Sequence, residues 1–424
     1  MTAEIALLNR SAVALAADSA VTITYWRNGQ SHTRYSKSAN KIFHISESRP
    51  VGMMIYQAAN LQGMPWEIIA KAYRERRGAT SFDKLDGYVT DVFNFIITDE
   101  NLFPPDIKEK QLSKNVELAA ARICVRCRIE KAEEASTDDE KKALVAKRLA
   151  KAGADVDAES FIDSIDFEEV FEELDKRRAA IIAEFTGYPS FDRISQYVDP
   201  DALFVAAARS AFKKESDALS DTGVVFAGFG DAEYFPRILQ YRCYGVLLGK
   251  LIYDVLKDDH ITISHDNVSA IEPIATSNMI NTFIHGASMS ALEQMDKLFE
   301  KHLSECLSEI SKASGQVIDA SKADPLKSEA KDNFSKEMMK HLWTEHSQPL
   351  RQVIGMLSVS ELAELAETLI SIESLKERVT RPTESVSGPI DVALISKTDG
   401  FIWIKRKHYF DKELNPRYFR TKDA

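Results

Sequence analysis

Thr2-Ala3-Glu4-Ile5-Ala6-Leu7-Leu8-Asn9-Arg10-Ser11-Ala12-Val13-Ala14-Leu15-Ala16-Ala17-Asp18 is the stretch that decides the fold. Residues 3–18 read as two short apolar strands broken by the polar Asn9-Arg10-Ser11, a hairpin signal. Thr2 stands at its head and Asp18 at its tail. Methionine aminopeptidases accept a small second residue, so Met1 is expected to be clipped, leaving a hydroxyl and a free α-amine on Thr2. A Thr hydroxyl is too weak an acid to attack a carbonyl unaided; it needs a neighbouring base that is largely unprotonated near neutral pH. An α-amine titrates near ~8 and a Lys side chain near ~10.4, so the amine is the better base. A nearby Lys⁺ favours the neutral amine and the developing alkoxide, and a carboxylate beside it holds that Lys charged and oriented. Asp18 and Lys41, the latter in Asn40-Lys41-Ile42-Phe43, fit these two roles.

The opening resembles the proteasome β-subunit family, whose members begin with Thr, pass through a strand and turn into an Ala-Ala-Asp type segment, and reach a Lys followed by an aliphatic and an aromatic residue. From Thr2 to Asp18 the spacing equals the family's without a gap. To Lys41 it is longer by about seven residues, accounted for by Thr22 to Tyr35, whose β-rich halves flank Asn28-Gly29, a pair suited to a type I′ turn. Val51-Gly52-Met53-Met54-Ile55-Tyr56 reads as an apolar strand, followed by a helix from about Pro65 to Arg76. The family has a Gly at the end of this strand whose backbone N–H supplies the oxyanion hole; Tyr56 or Gln57 falls there. Residues 385–396 and Asp399-Gly400-Phe401 are similar to the family's last two strands and their turn.

The resemblance implies an α+β fold, the four-layer αββα sandwich of two packed antiparallel sheets flanked by helices, with Thr2 in the cleft between the sheets. It also implies an Asp and a Ser that orient the amine. Glu384 and Ser387 are the nearest equivalents if one residue is deleted before Ile390, whereas an ungapped alignment puts Thr383 and Val386 there. The family's Gly-Ser-Gly turn corresponds to Ile274-Ala275-Thr276-Ser277, which lacks both glycines.

A subunit of that kind needs about half of 424 residues. The excess is read as a helical insertion over residues 104–220, rich in Lys, Glu, Ala and Leu at helical spacing. Residues 1–103 and 221–424 are then the discontinuous hydrolase domain, with extended helices at about 278–345. A polar segment, Ser311 to Lys331, is expected to separate Asn278–Ile310 from helices over Ser335 to Thr380.

The 54 basic against 65 acidic residues argue against nucleic acid as a principal ligand. No apolar run reaches ~18 residues, so no membrane partner is expected. Ser11 to Ala17 superficially suggests a leader, but the start is not basic and Glu4, Asn9 and Arg10 interrupt it. Four cysteines without a framework fit a reducing cytoplasm. Cys124 and Cys127 form a CxxC in a helical run with no second pair nearby, and His260 and His265 with Asp258, Asp259 and Asp266 read as a solvated loop; no metal or other cofactor is expected.

The expected activity is a threonine-type amide hydrolase, a proteasome-like peptidase acting through an acyl-enzyme, on a peptide or other amide. Relatives assemble into rings, which points to a homo-oligomer; an unfoldase partner is not identified. A small-molecule amidase of the same class and a catalytically silent scaffold remain the alternatives.

Overall fold

The computed structural model describes residues 2–27, 30–127, 137–154, 161–162, 164–192, 194–214, 216, 219–256, 258, 260–315, 319–380, 386, 388–411 and 413–417. Strands β1 (Ala3–Asn9) and β2 (Ala12–Ala17) form a hairpin with Leu8 opposite Val13. Asn9 turns it: its Oδ1 accepts from the N–H groups of Ser11 and Ala12. Every residue of both strands is buried, which is why they read as near-continuous small and apolar runs. Strands β3 (Val21–Arg27) and β4 (Gln30–Ser36) pair with Arg27 opposite Gln30; the Asn28-Gly29 turn expected between them lies outside the described residues.

The remaining strands are β5 (Ile42–His44), β6 (Val51–Gln57), the two-residue β7 (Asn60–Leu61) and β8 (Met64–Pro65), β9 (Thr222–Gly228), β10 (Arg237–Leu247), β11 (Lys250–Val255), β12 (Ile261–Thr262), β13 (Ser269–Ala275), β14 (Asp391–Ser396) and β15 (Gly400–Lys405). One sheet runs β13-β1-β2-β14-β15 and the other β11-β10-β9-β6-β5, with β12 added on β10; the pairings in both are antiparallel. Alternation decides how they stack. Ala6, Leu8, Val13 and Leu15 of the first sheet share one buried cluster with Met54, Val225, Ala227 and Ile238 of the second, so the sheets pack face to face.

The odd-numbered face of β1, with Ile5 and Leu7, meets helices instead. On the outside of the second sheet lie α1 (Trp66–Arg77) and α2 (Leu85–Thr98), whose Trp66, Tyr73, Tyr88 and Phe93 pack on Met53, Phe226 and Tyr241. Helices α3 (Pro105–Arg126), α4 (Asp138–Ala154), α5 (Phe167–Asp175), α6 (Arg178–Thr186), α7 (Pro189–Asp192) and α8 (Pro200–Ala211) share a hydrophobic cluster of their own. That cluster reaches the sheet through Tyr244, Leu247 and Ile252 of β10 and β11. Asp199 caps α8, accepting from the N–H groups of Asp201 and Ala202. Asp199→Ala is expected to cost about 1 kcal/mol, read as a lower urea midpoint.

On the outside of the first sheet, α9 (Asn278–His285), α12 (Gln348–Ile354) and α13 (Val359–Thr380) cover β1, β2 and β14, with Ile280, Ile354, Leu362 and Leu369 in the shared core. Between α9 and α12 run α10 (Met289–Ser314) and α11 (Ala320–Leu342), then a π-helical turn at Trp343–Ser347. The polar segment expected from Ser311 to Lys331 is therefore largely helix. Its polarity belongs to a helical pair held by cross-pairs, Phe299 stacked on Phe334 at 4.4 Å and Lys331 to Glu300 at 2.6 Å, with no buried residue on α10. Solvated helices and loops share that composition, and only the pairing between helices separates them. The layers in order are helices, antiparallel sheet, antiparallel sheet and helices, an α+β arrangement.

Candidate active site

β1 lies between β13 and β2, hydrogen-bonded on both sides, so its first residues are held rigidly. The Thr2 carbonyl accepts from Thr276 N–H at 2.9 Å. Asp18, just past β2, grips the same end of β1. Its N–H donates to the Ala3 carbonyl at 3.1 Å and its Oδ1 accepts from Ala3 N–H at 3.1 Å, while Oδ2 accepts from Ala20 N–H at 3.2 Å. Lys41 comes from the other sheet, immediately before β5, where its carbonyl accepts from Ile55 N–H of β6. Its ammonium crosses the gap between the sheets to reach Asp18 at 2.5 Å and Glu4 Oε1 at 2.8 Å.

Glu4 completes the cluster. The Thr2 hydroxyl donates to Glu4 Oε2 at 3.2 Å; among the described residues it bonds Glu4 rather than Lys41. Thr2 is 5 % exposed, Lys41 3 % and Glu4 0 %. Burial pushes the Glu4 carboxyl up to about 7, against the pull of Lys41 and with a further push from Asp18. Burial works against the Lys41 ammonium, yet the two carboxylates more than offset it and hold Lys41 above its ordinary value. One cation thus faces two carboxylates, and the carboxylate nearest the Thr2 hydroxyl is the one poised to carry a proton near neutral pH.

Sequence reasoning used Glu4 only as evidence against a leader. A signal for it was present: alternation puts residues 2 and 4 on one face of β1, and a lone carboxylate inside an apolar strand is costly to bury without a partner.

The raised value fixes a sign for pH. Glu4 holds its proton more tightly folded than unfolded, so its stabilising contribution is complete below its ordinary value of 4.5 and is lost as pH rises through 7. Urea midpoints of wild type and Glu4→Gln are expected to diverge between pH 5 and 8, with wild type losing ground as pH rises; a constant difference would contradict this protonation.

Gln57 ends β6, opposite Thr222, with an exposed side chain and a φ of 65°. Ala275 ends β13 with a φ of 60°. Both are non-glycine residues in the left-handed region, where a Cβ is disfavoured, and both lie where the sequence resemblance led one to look for glycine. Gln57 lines a cavity of about 630 Å³ with Arg122, Asp221, Arg242 and Tyr244. A second cavity, of about 570 Å³, is lined by Asn40 and Ile42 on either side of Lys41, together with His44, Arg74 and Trp403. Glu384 and Ser387 lie outside the described residues, as does Asp259. The other constellations fall to structural contacts. Cys124 and Cys127 are buried in the cluster shared by α3 to α8, and burial pushes the Cys124 thiol up to about 12. His260 bonds the Gln240 carbonyl at 3.0 Å and His265 meets Phe235 edge-on.

No family model matches the chain, and no curated protein matches it. Among solved structures, the chain is similar to the Gly-1 mutant of Anbu from Hyphomicrobium sp. strain MC1, at 10 % identity and a TM-score of 0.28, with 100 % of this chain and 94 % of that one covered. A TM-score of that size bears on neither fold nor chemistry, and both rest on the geometry above.

Proposed function

We propose that this chain is a threonine-type amide hydrolase of the N-terminal-nucleophile class, a proteasome-like peptidase in which Thr2 attacks the scissile carbonyl. The observation that carries the reading is the Thr2 hydroxyl held beside a buried Glu4-Lys41-Asp18 cluster at the end of the two packed sheets. With Met1 removed, the Thr2 α-amine is available as a base for the hydroxyl proton; Lys41 stabilises negative charge at the site and Asp18 fixes Lys41 and the backbone of β1. The backbone N–H at Gln57 is the proposed oxyanion donor, and the left-handed backbone at Gln57 and Ala275 supports a specialised geometry there, since such strain collects at functional sites. Residues 1–103 and 221–424 form the proposed hydrolase domain and 104–220 the insertion, a division supported by the hydrophobic cluster that its helices share and through which they dock on β10 and β11. A homo-oligomer acting on peptide substrates completes the proposal.

A catalytically silent scaffold is the second reading, favoured by the burial of Thr2 and by the engagement of Lys41 with two carboxylates. Treatment with a β-lactone probe, followed by peptide mass mapping, separates them. Acyl transfer to Thr2 supports the hydrolase; a chain that takes no label, or takes it elsewhere, supports the scaffold. Intact mass reads whether Met1 is removed.

A further inference from the structure

The geometry points to Glu4 as the proton acceptor of the Thr2 hydroxyl, so that attack by Thr2 does not require a free α-amine. This rests on Thr2 being the nucleophile and gives it a different base. The hydroxyl already donates to Glu4 Oε2 at 3.2 Å, within reach of a direct transfer. The other oxygen of the same carboxyl is bound by Lys41 at 2.8 Å, which leaves Oε2 aimed at Thr2. Alternation along β1 makes the arrangement rigid, because residues 2 and 4 project from one face of a strand paired on both sides. The charged groups facing Glu4 are Lys41, ahead of β5, and Asp18, after β2; β13 and β2 oppose it with Ile274 and Ala17. A carboxyl raised to about 7 is matched to proton transfer near neutral pH, as an ordinary carboxylate is not.

The step balances without a co-reactant other than water. A lone pair of Thr2 Oγ1 forms the bond to the amide carbon, the hydroxyl proton passes to Glu4 Oε2, and the carbonyl π pair moves onto its oxygen. As the carbonyl re-forms, the C–N bond breaks and its electron pair takes the proton from Glu4, releasing the amine. Water then attacks the ester, gives a proton to Glu4, and Oγ1 leaves and recovers that proton.

The test uses the full chain in two forms, one with Thr2 exposed as the N-terminus and one with residues retained ahead of it, each treated with a β-lactone probe and mapped. The extended form is expected to be acylated at Thr2, at a rate that climbs roughly tenfold per pH unit below the Glu4 value and levels above it. Glu4→Gln in the extended form is expected to slow that labelling by about 10²- to 10⁴-fold, with Glu4→Asp recovering part of it. The pH profile of the unsubstituted extended chain needs no variant, so a misfolded Glu4→Gln leaves the proposal decidable. Labelling confined to the free-amine form and unchanged by Glu4→Gln overturns the role of Glu4 while leaving Thr2 as nucleophile. Absence of label at Thr2 in both forms overturns the role of Glu4 and the hydrolase reading together.

Discussion

Lys41→Met is expected to destabilise the fold by about 3–5 kcal/mol, the cost of removing one partner from a buried ionic cluster. The substitution keeps most of the side-chain volume, so the loss comes from charge rather than from a cavity. Asp18 keeps its backbone donors from Ala3 and Ala20, while Glu4 is left with the Thr2 hydroxyl and the unrelieved field of Asp18. The carboxyl that yields is Glu4, which takes up a proton. The penalty should therefore shrink as pH falls toward 7 and level off below it, where Glu4 is protonated in both proteins, and the double variant Lys41→Met with Glu4→Gln should recover part of it at pH 8. Urea unfolding of the three proteins at pH 6 and pH 8 measures both statements. A Lys41→Met midpoint within error of wild type at pH 8 would show that the ammonium is not neutralising buried charge.

Thr2→Ala is expected to have the opposite profile, a small change in stability and a near-total loss of acyl transfer. The variant gives up a single hydroxyl hydrogen bond, about 1 kcal/mol, and leaves Glu4 still paired with Lys41. Removing the nucleophile of a covalent hydrolase lowers kcat by several powers of ten, to about 10⁻⁶ of wild type in the best-measured case. For this chain a fall of at least ~10⁴ in the rate of β-lactone labelling is the expected reading. Persistent label in the Thr2→Ala protein would move the nucleophile elsewhere. Thr2→Ser, which keeps an oxygen at the same place, should retain measurable labelling.

Much of this arrangement was legible in the chain because it is written in short range. The β1–β2 hairpin announces itself through uniformly apolar halves around Asn9, and the spacing from Thr2 to Asp18 follows from it. The arrival of Lys41 beside Asp18 is a matter of which sheet edge β5 joins, and Lys41 was found only through the resemblance of Lys41-Ile42-Phe43 to a family pattern. What escaped notice depends on partners far apart in sequence. Glu4 acquires its meaning only when Lys41 reaches across from the second sheet, and nothing local to residue 4 specifies that partner. The first turns of α11 were missed for a related reason, since Ser311 to Lys331 has loop-like polarity and Lys331 finds its partner, Glu300, on the neighbouring α10, which the helical spacing of Asn278–Ile310 had indicated. The left-handed backbone of Gln57 and Ala275 was illegible because neither residue type favours it.

The placement of β1 between strands made late in the chain has a consequence for timing. Thr2, Glu4, Asp18 and Lys41 are synthesised well ahead of β13, which begins at residue 269, and of β14, which backs β2 and begins at residue 391. A nascent chain therefore carries these four side chains through several hundred residues of synthesis without the strands that align them. Under the proposed function, acyl transfer waits for β13 and β14 to dock, and a chain truncated before residue 391 should be inert toward acyl donors although Thr2, Glu4, Asp18 and Lys41 are all present in it.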